Sequence, residues 1–458
     1  MGVTIQFCGA AQTVTGSKHL LTWEGKKVLI DCGMFQGLQE IRNRNKEPWP
    51  FDPAELDAVV ITHAHMDHIG MLPKLVKDGY KGPIYATKAT IGLAKVSLPD
   101  SGRLQEEEAA YLNRKGRGPA EPMYTEREAY AVFPQFQPVH YWQFHDLPGG
   151  ATWRYMPAGH ILGSAYAEVY FPNGERILMS GDLGRYNTPI IKDPTEVDFA
   201  EYLVIESTYG DRLHAKEDPM DRLEEVIKRS IESGGAILVP SFAIGRTQEL
   251  LYFLKKLQDA DRIPRIPIFV DSPMAISAGK LYLTANEEFD KEAQGYVDLK
   301  ESPLEPENLE YIRDREQSKA LNSRSGPMII ISGSGMANGG RIVHHLLNRL
   351  DDPSTQVLFT GYQAEGTLGR RLIEKAETVE LMGREVNVRA TVDKLNSLSA
   401  HCDQQEMMDW LGKFKTPPKM TFIVHGESKA QIALQARIES ELGWKTKIPA
   451  HKETAMLE

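Results

Sequence analysis

The sequence predicts an α/β protein of two lobes, and three observations predict it. At 458 residues the chain is too long for one ordinary core, given roughly 150 residues per domain. Short β-like runs separated by turns fill its first part, up to residue 209. From Gly210 the rhythm changes to strand, small-residue turn, helix, repeated along the chain.

The runs VTIQFCG, HLLTWEG, KVLIDCG, LDAVVIT, GPIYAT, AEVYF and RILMSGD are apolar and bounded by Gly, Asp or Asn, which predicts the strands of a sheet-rich lobe. Between Pro99 and Trp142 the stretch SGRLQEEEAAYLNRKG predicts a charged helix, followed by a Pro-containing loop and a second helical piece near Thr125 to Ala131. GAILVP then runs into SFAIGRTQELLYFLKKL, IPIFVD into SPMAISAGKLYL, PMIIIS into GSGMANGGRIVHHLLNRL, and QVLFTG into YQAEGTLGRRLIEKA. Continuously apolar strands in such units predict a parallel sheet covered on both faces. After Lys375 strand-like runs return (EVNVRATV, MTFIVHG), with a closing helix near Ala430 to Leu442. Residues 376–458 are therefore expected to complete the lobe begun by 1–209, leaving 210–375 as an insertion.

With 41% hydrophobic and 25% charged residues the chain is neither disordered nor fibrous. No window approaches the ~18 unbroken apolar residues of a membrane span, and MGVTIQFCGAAQTVTG lacks the charged start and apolar core of a signal peptide. A cytoplasmic location is expected. Cys8, Cys32 and Cys402 are far apart and form no C-x-x-C pair, which argues against disulfides or a thiolate metal site and for small buried residues. The net charge of −10 runs against the basic footprint expected of a polyanion binder.

One stretch demands a chemical cause. THAHMDHIG, from Thr62 to Gly70, contains H-x-H-x-D-H, a pattern that chance would place in such a chain roughly once in a thousand. His63 and His65 follow the strand LDAVVIT two positions apart and can converge on one ion, while Asp67 and His68 open the expected helix HIGMLPKLVKDG and face elsewhere. Two ions fit this division. Imidazole and carboxylate donors without thiolate suit zinc better than manganese or iron. Further candidates follow other strands: His160 in PAGHILGS, Asp182 in LMSGDLG and His425 in FIVHGE. His19, His140, His145, His214, His344, His345 and His451 lack that context and read as ordinary turn or core residues.

With Asp31 after the strand KVLI, this series resembles the metallo-β-lactamase fold, an αββα sandwich holding two zinc ions at one edge. The resemblance implies one ion on His63, His65 and His160, a second on Asp67, His68 and His425, Asp182 bridging them, and Asp31 beside the site. IESTYG with Glu206, LSAHCDQQE with His401, and FIVHGE, together with the turns SFAIGRTQE, SGSGM and GYQAEGTLGR, resemble the β-CASP nucleases. They are most like prokaryotic RNA-cleaving members related to the 3′-end processing endonuclease of eukaryotes. That implies zinc-dependent hydrolysis of RNA in processing or decay, as endonuclease or 5′–3′ exonuclease, leaving 5′-phosphate and 3′-hydroxyl ends. Asp31, Asp67, Glu206 and His401 would be the catalytic groups, His401 acting on the departing 3′-oxygen with Glu206 behind it.

Turns that open helices present N–H groups and a positive helix end to phosphate. Ser241, Gly245, Arg246, Ser332, Gly333, Ser334 and Gly335 are the candidates, with Arg341, Arg370 and Arg371 as further cations. Metal ions and arginines concentrated in one place would offset the net negative charge. The expected partner is single-stranded RNA and no membrane, with a homodimer left open. Two other readings are a dinuclear zinc hydrolase of a small thioester or lactone, and a catalytically silent scaffold in an RNA-processing assembly.

Overall fold

The computed structural model describes residues 2–116, 118–361, 363, 365–395 and 397–457, and the chain divides into two compact units. The first comprises Met1–Thr188, Lys192–Leu213 and His401–Glu458. Its two seven-stranded sheets stand face to face. In spatial order one holds Thr454–Leu457, Val3–Phe7, His19–Trp23, Lys26–Ile30, Ala58–Val60, Ile84–Thr87 and Phe136–Val139. The other holds Thr446–Lys447, Met420–Ile423, Tyr202–Ile205, Arg176–Met179, Ala165–Tyr170, Ala151–Pro157 and His145–Leu147. Each sheet is part antiparallel and part parallel. Lys26–Ile30 pairs in parallel with Ala58–Val60, and Tyr202–Ile205 pairs in parallel with both Arg176–Met179 and Met420–Ile423.

Alternation explains the sandwich. Val3, Ile5 and Phe7 point inward while Thr4 and Gln6 are half-buried, the period-2 pattern of a strand with one covered face. Inward side chains of both sheets, including Val28, Val60, Trp153, Val169, Val204 and Phe422, form one core. A second core lies outside the sheet that carries Asp182. There Met156, Tyr166, Leu178, Leu203 and Ile423 meet Met407, Trp410 and Leu411 of the helix Gln404–Leu411 and Leu434 and Ile438 of Ser428–Leu442. Trp410 is fully buried there and donates to the Thr195 carbonyl at 2.9 Å. Trp410→Ala is expected to lower stability by about 3–5 kcal/mol, read as an earlier midpoint in denaturant with zinc present.

Pro99 does not begin the excursion helix. That helix spans Lys88–Arg114 with Pro99 inside it and Thr87 capping the Thr90 N–H at 3.1 Å. The proline removes one backbone bond, but Leu93, Ala94, Leu98 and Pro99 itself are buried, and that packing carries the helix through.

The second unit comprises Pro189–Ile191 and His214–Ala400. Its all-parallel sheet runs, in space, Leu309–Tyr311, Ile268–Asp271, Met328–Ser332, Ala236–Pro240, Gln356–Phe359 and Thr391–Lys394. The central strands AILVP and MIIIS are buried at every position. This is the doubly covered sheet that continuous apolar runs predict. One expectation is corrected: EVNVRATV does not return to the first unit. Arg384–Asn387 pairs with Thr378–Leu381 as a hairpin, and Thr391–Lys394 joins the inserted sheet beside Gln356–Phe359. In those positions Val386 and Val392 are half-buried while Glu385, Asn387 and Thr391 are exposed, so the run carries the mixed apolar and polar pattern of a half-covered strand.

Candidate metal centre

Chemistry-bearing residues gather where parallel strands of the first unit end. Asp31 follows Lys26–Ile30, His63 and His65 follow Ala58–Val60, Asp182 follows Arg176–Met179, Glu206 follows Tyr202–Ile205 and His425 follows Met420–Ile423. Ligand sites in α/β sheets lie beyond the carboxyl ends of strands, where backbone leaves the ladder and side chains can converge. His160 comes from the turn after Ala151–Pro157, where the Ser164 hydroxyl accepts the N–H groups of His160 and Ile161 at 3.0 and 3.2 Å. At Gly181 a Cβ would meet the Thr62 side chain at 2.7 Å, so glycine lets the two sheets close at this edge. Asp31 and His425 adopt left-handed φ of 58° and 50°. Asp and His are among the non-glycine residues that enter this region most readily.

The donors form two groups. Nε2 of His63 lies 3.1 Å from Nδ1 of His65, which lies 3.2 Å from Nε2 of His160. Asp182 Oδ2 closes this group at 3.3 Å from His63 and 3.4 Å from His160. In the second group Nε2 of His68 and His425 are 3.1 Å apart. Asp182 Oδ1 lies 3.2 Å from His68 and 3.5 Å from His425, and Asp67 Oδ2 lies 3.4 Å from His425. Donors about 2.0–2.1 Å from a tetrahedral zinc ion stand roughly 3.3–3.4 Å from one another. The separations given above for the two groups, 3.1 to 3.5 Å, lie close to that spacing.

The environment fits a cation as well. Asp182 is 2% exposed, yet its Oδ1 makes no hydrogen bond, a costly state for a buried carboxylate unless positive charge meets it. Burial brings His65 down to about 3 and also lowers His63 and His160, so all three rings are the neutral donors a metal requires. His68 is buried too, but the Asp182 and Asp31 carboxylates outweigh burial and raise it well above the usual histidine range. The acidic groups call for positive charge at this point.

A supporting layer aims the rings. Asp31 Oδ2 meets Nδ1 of His68 at 2.7 Å, turning Nε2 toward the second group, and Asp31 is itself held by the Thr62 N–H at 2.8 Å and the hydroxyls of Thr62 and Ser17 at 3.0 and 3.2 Å. Thr208 Oγ1 stands 3.1 Å from Nδ1 of His425. Thr62 and Thr208 were not read as functional from the sequence, although both lie inside quoted motifs. Their signal is a hydroxyl one residue before a motif histidine, and two after a motif glutamate. Replacing Asp31 with Ala is expected to weaken metal binding by about 10–100-fold, the usual effect of losing such a partner; competition against a fluorescent chelator reads it directly.

Glu206 is fully buried, accepts the Leu183 N–H at 2.7 Å, and meets Nδ1 of His401 through both oxygens at 3.0 and 3.1 Å. The same nitrogen lies 3.9 Å from Asp182 Oδ2. Burial opposes a charge on His401, yet the Glu206 and Asp182 carboxylates raise it to about 9. Cys8, Cys32 and Cys402 are buried and unpaired. Among the described residues, none of the seven other histidines enters a metal-competent cluster.

The expected phosphate contacts lie in the second unit and are largely engaged there. Ser241 Oγ meets Thr247 Oγ1 at 3.0 Å, Ser332 donates to the Asp271 carbonyl at 2.9 Å, and the Gly245 N–H reaches Gln248 at 2.8 Å. Arg246 pairs with Glu249. The Ser334 N–H bonds the Gly339 carbonyl at 3.1 Å, closing the loop that holds Gly333 and Gly335. Arg341 holds Asp271 at 2.6 Å, Arg370 holds Glu374 at 2.5 Å, and Arg371 reaches the Thr378 carbonyl at 3.3 Å. A phosphate taken by Ser241, Ser332 or Gly245 would have to replace an existing bond. Within GYQAEGTLGR, Tyr362 and Ala364 lie outside the described residues.

Comparison with known proteins places the chain in a family. Residues 19–232 match the metallo-β-lactamase superfamily, 247–372 the β-CASP domain, and 385–449 the zinc-dependent metallo-hydrolase RNA specificity domain. The chain is 39% identical to ribonuclease TTHA0252 of Thermus thermophilus, over 93% of this chain and 94% of that protein. It is 30% identical to an RNase J-like protein of Methanocaldococcus jannaschii (98% and 97% covered) and 28% identical to the transcription termination factor FttA of Methanosarcina mazei (99% and 72% covered). A crystal structure of an Enterococcus faecalis protein of unknown function shares the fold with a TM-score of 0.56 at 13% identity, over the whole of both chains. No helix among the described residues is long and apolar enough to cross a membrane. The chain belongs to the β-CASP ribonuclease family of the metallo-β-lactamase superfamily, as a zinc-dependent metallo-hydrolase with an RNA specificity domain.

Proposed function

We propose that the protein hydrolyses single-stranded RNA with two zinc ions. His63, His65 and His160 would hold one, Asp67, His68 and His425 the other, and Asp182 one with each oxygen. The observation that carries this reading is the division of Asp182, whose Oδ2 lies 3.3 and 3.4 Å from His63 and His160 and whose Oδ1 lies 3.2 and 3.5 Å from His68 and His425. When bound, zinc supplies Lewis acidity toward water and the phosphoryl oxygens.

The remaining work falls to the chain. Asp31 fixes the tautomer and aim of His68. Glu206 accepts from Nδ1 of His401, leaving Nε2 as the atom that hands a proton to the departing 3′-oxygen. The raised affinity of His401 for its proton matches that task, because a strongly basic alkoxide needs an acid that stays loaded near neutral pH. Products would carry 5′-phosphate and 3′-hydroxyl ends. Metal analysis of the purified protein is expected to give two zinc ions per chain, and end-specific ligation of cleaved RNA to give those termini. One ion per chain, or 2′,3′-cyclic ends, would contradict the assignment.

A further inference from the structure

The parallel sheet of the second unit changes winding direction at its centre. Ala236–Pro240 leads through the helix Arg246–Asp259 to Ile268–Asp271 on one side, whereas Met328–Ser332 leads through Ile342–Arg349 to Gln356–Phe359 on the other. Loops that part in opposite directions leave a crevice at the carboxyl ends of the strands, the usual ligand position in doubly wound sheets.

Phe242 stands there. It follows Ser241 at the carboxyl end of Ala236–Pro240 and is 36% exposed. Its ring lies against Gly335 and Gly361, one from the loop after each neighbouring strand: a Cβ would come within 2.5 Å of the ring at Gly335 and 3.2 Å at Gly361. Neither glycine has a positive φ, so the backbone does not call for glycine at either position. The ring does.

An aromatic ring held on a glycine seat, with about a third of its surface uncovered, has the properties of a stacking platform: fixed orientation, an open surface and little entropy to lose. The segment matching the RNA specificity domain, 385–449, includes Thr391–Lys394, a strand of this same sheet. We propose that Phe242 stacks on one nucleobase of the RNA strand. Because every base has a π-face, such a contact holds the strand without choosing its sequence. The proposal rests on the ribonuclease reading above, and it adds a substrate contact that the metal centre does not provide.

Phe242→Leu keeps an apolar side chain of similar volume on the glycine seat but removes the π-face, whereas Phe242→Trp keeps a π-face. With full-length, zinc-loaded protein, Phe242→Leu is expected to raise KM for a single-stranded RNA about ten-fold, within the range measured for removal of stacking aromatics, and Phe242→Trp to stay near wild type. In RNAs with one abasic nucleotide at successive positions, one position should weaken the wild type to the level of Phe242→Leu and leave that variant unchanged. Equal KM for wild type and Phe242→Leu, or loss from Phe242→Leu at every abasic position alike, would overturn the proposal. A wild type that binds zinc and cleaves no RNA would instead sink the ribonuclease reading beneath it.

Discussion

On the proposed two-zinc reading, Asp182→Ala is expected to remove both ions and RNA cleavage together. Its two oxygens stand in separate donor groups, 3.2 to 3.5 Å from nitrogens of His63, His160, His68 and His425. Truncation therefore takes one donor from each group and leaves buried imidazoles facing one another without a shared negative charge. The loss in turnover should exceed the ~10²–10⁴-fold attributable to a single acid–base group, and metal content after dialysis should fall well below that of wild type. Asp182→Asn tests the charge separately: an amide offers only one neutral oxygen and should not restore two ions. A variant that keeps both ions would show that Asp182 does not bridge.

His401→Ala is expected to behave differently, and the contrast is informative. Its ring meets Glu206 through Nδ1 and belongs to neither tetrahedral group. Turnover should fall by about 10²–10⁴-fold, while zinc content and KM for RNA stay near wild type. Glu206→Gln should lower turnover in the same way by leaving the imidazole without its carboxylate. If His401→Ala lost zinc, the residue would be a ligand. The RNA substrate should also respond to leaving-group chemistry. Replacing the bridging 3′-oxygen by sulfur, which departs without a proton, should restore much of the rate of His401→Ala and little of the rate of Asp182→Ala.

Much of the centre was legible in the sequence: His63, His65, Asp67 and His68 stand in the H-x-H-x-D-H cluster, and His160, Asp182 and His425 share the grammar of a strand followed by a turn residue. Among the described residues His63, His65, His160 and Asp182 form one group, Asp67, His68 and His425 a second, and Asp182 meets His425 and Glu206 in a third. What the grammar could not show is which ring faces which. Nδ1 of His65 but Nε2 of His63 point into the first group, although the two residues are only two positions apart.

The supporting hydroxyls were missed for a similar reason. Thr62 sits inside the motif, but threonine is common at strand ends, and its contact with Asp31 depends on two strands lying side by side. In the second unit the strand–turn–helix repeats were readable from continuous apolar runs. The roles of its small residues were not: Ser241 and Ser332 bond inside the fold, and Gly335 and Gly361 answer to the Phe242 ring. The end of that unit was not legible, because a half-exposed strand at its margin carries the same mix of apolar and polar residues as a sandwich strand.

Incubation of zinc-loaded protein with single-stranded RNA labelled at its 5′ end, with products resolved by length over time, tests the ribonuclease reading of the zinc centre. The expected result is zinc-dependent shortening that chelation stops and zinc restores, with internal fragments for an open channel or released labelled mononucleotide for a closed 5′ pocket. Intact RNA in the presence of bound zinc, with a thioester or lactone hydrolysed by the same preparation, would contradict it.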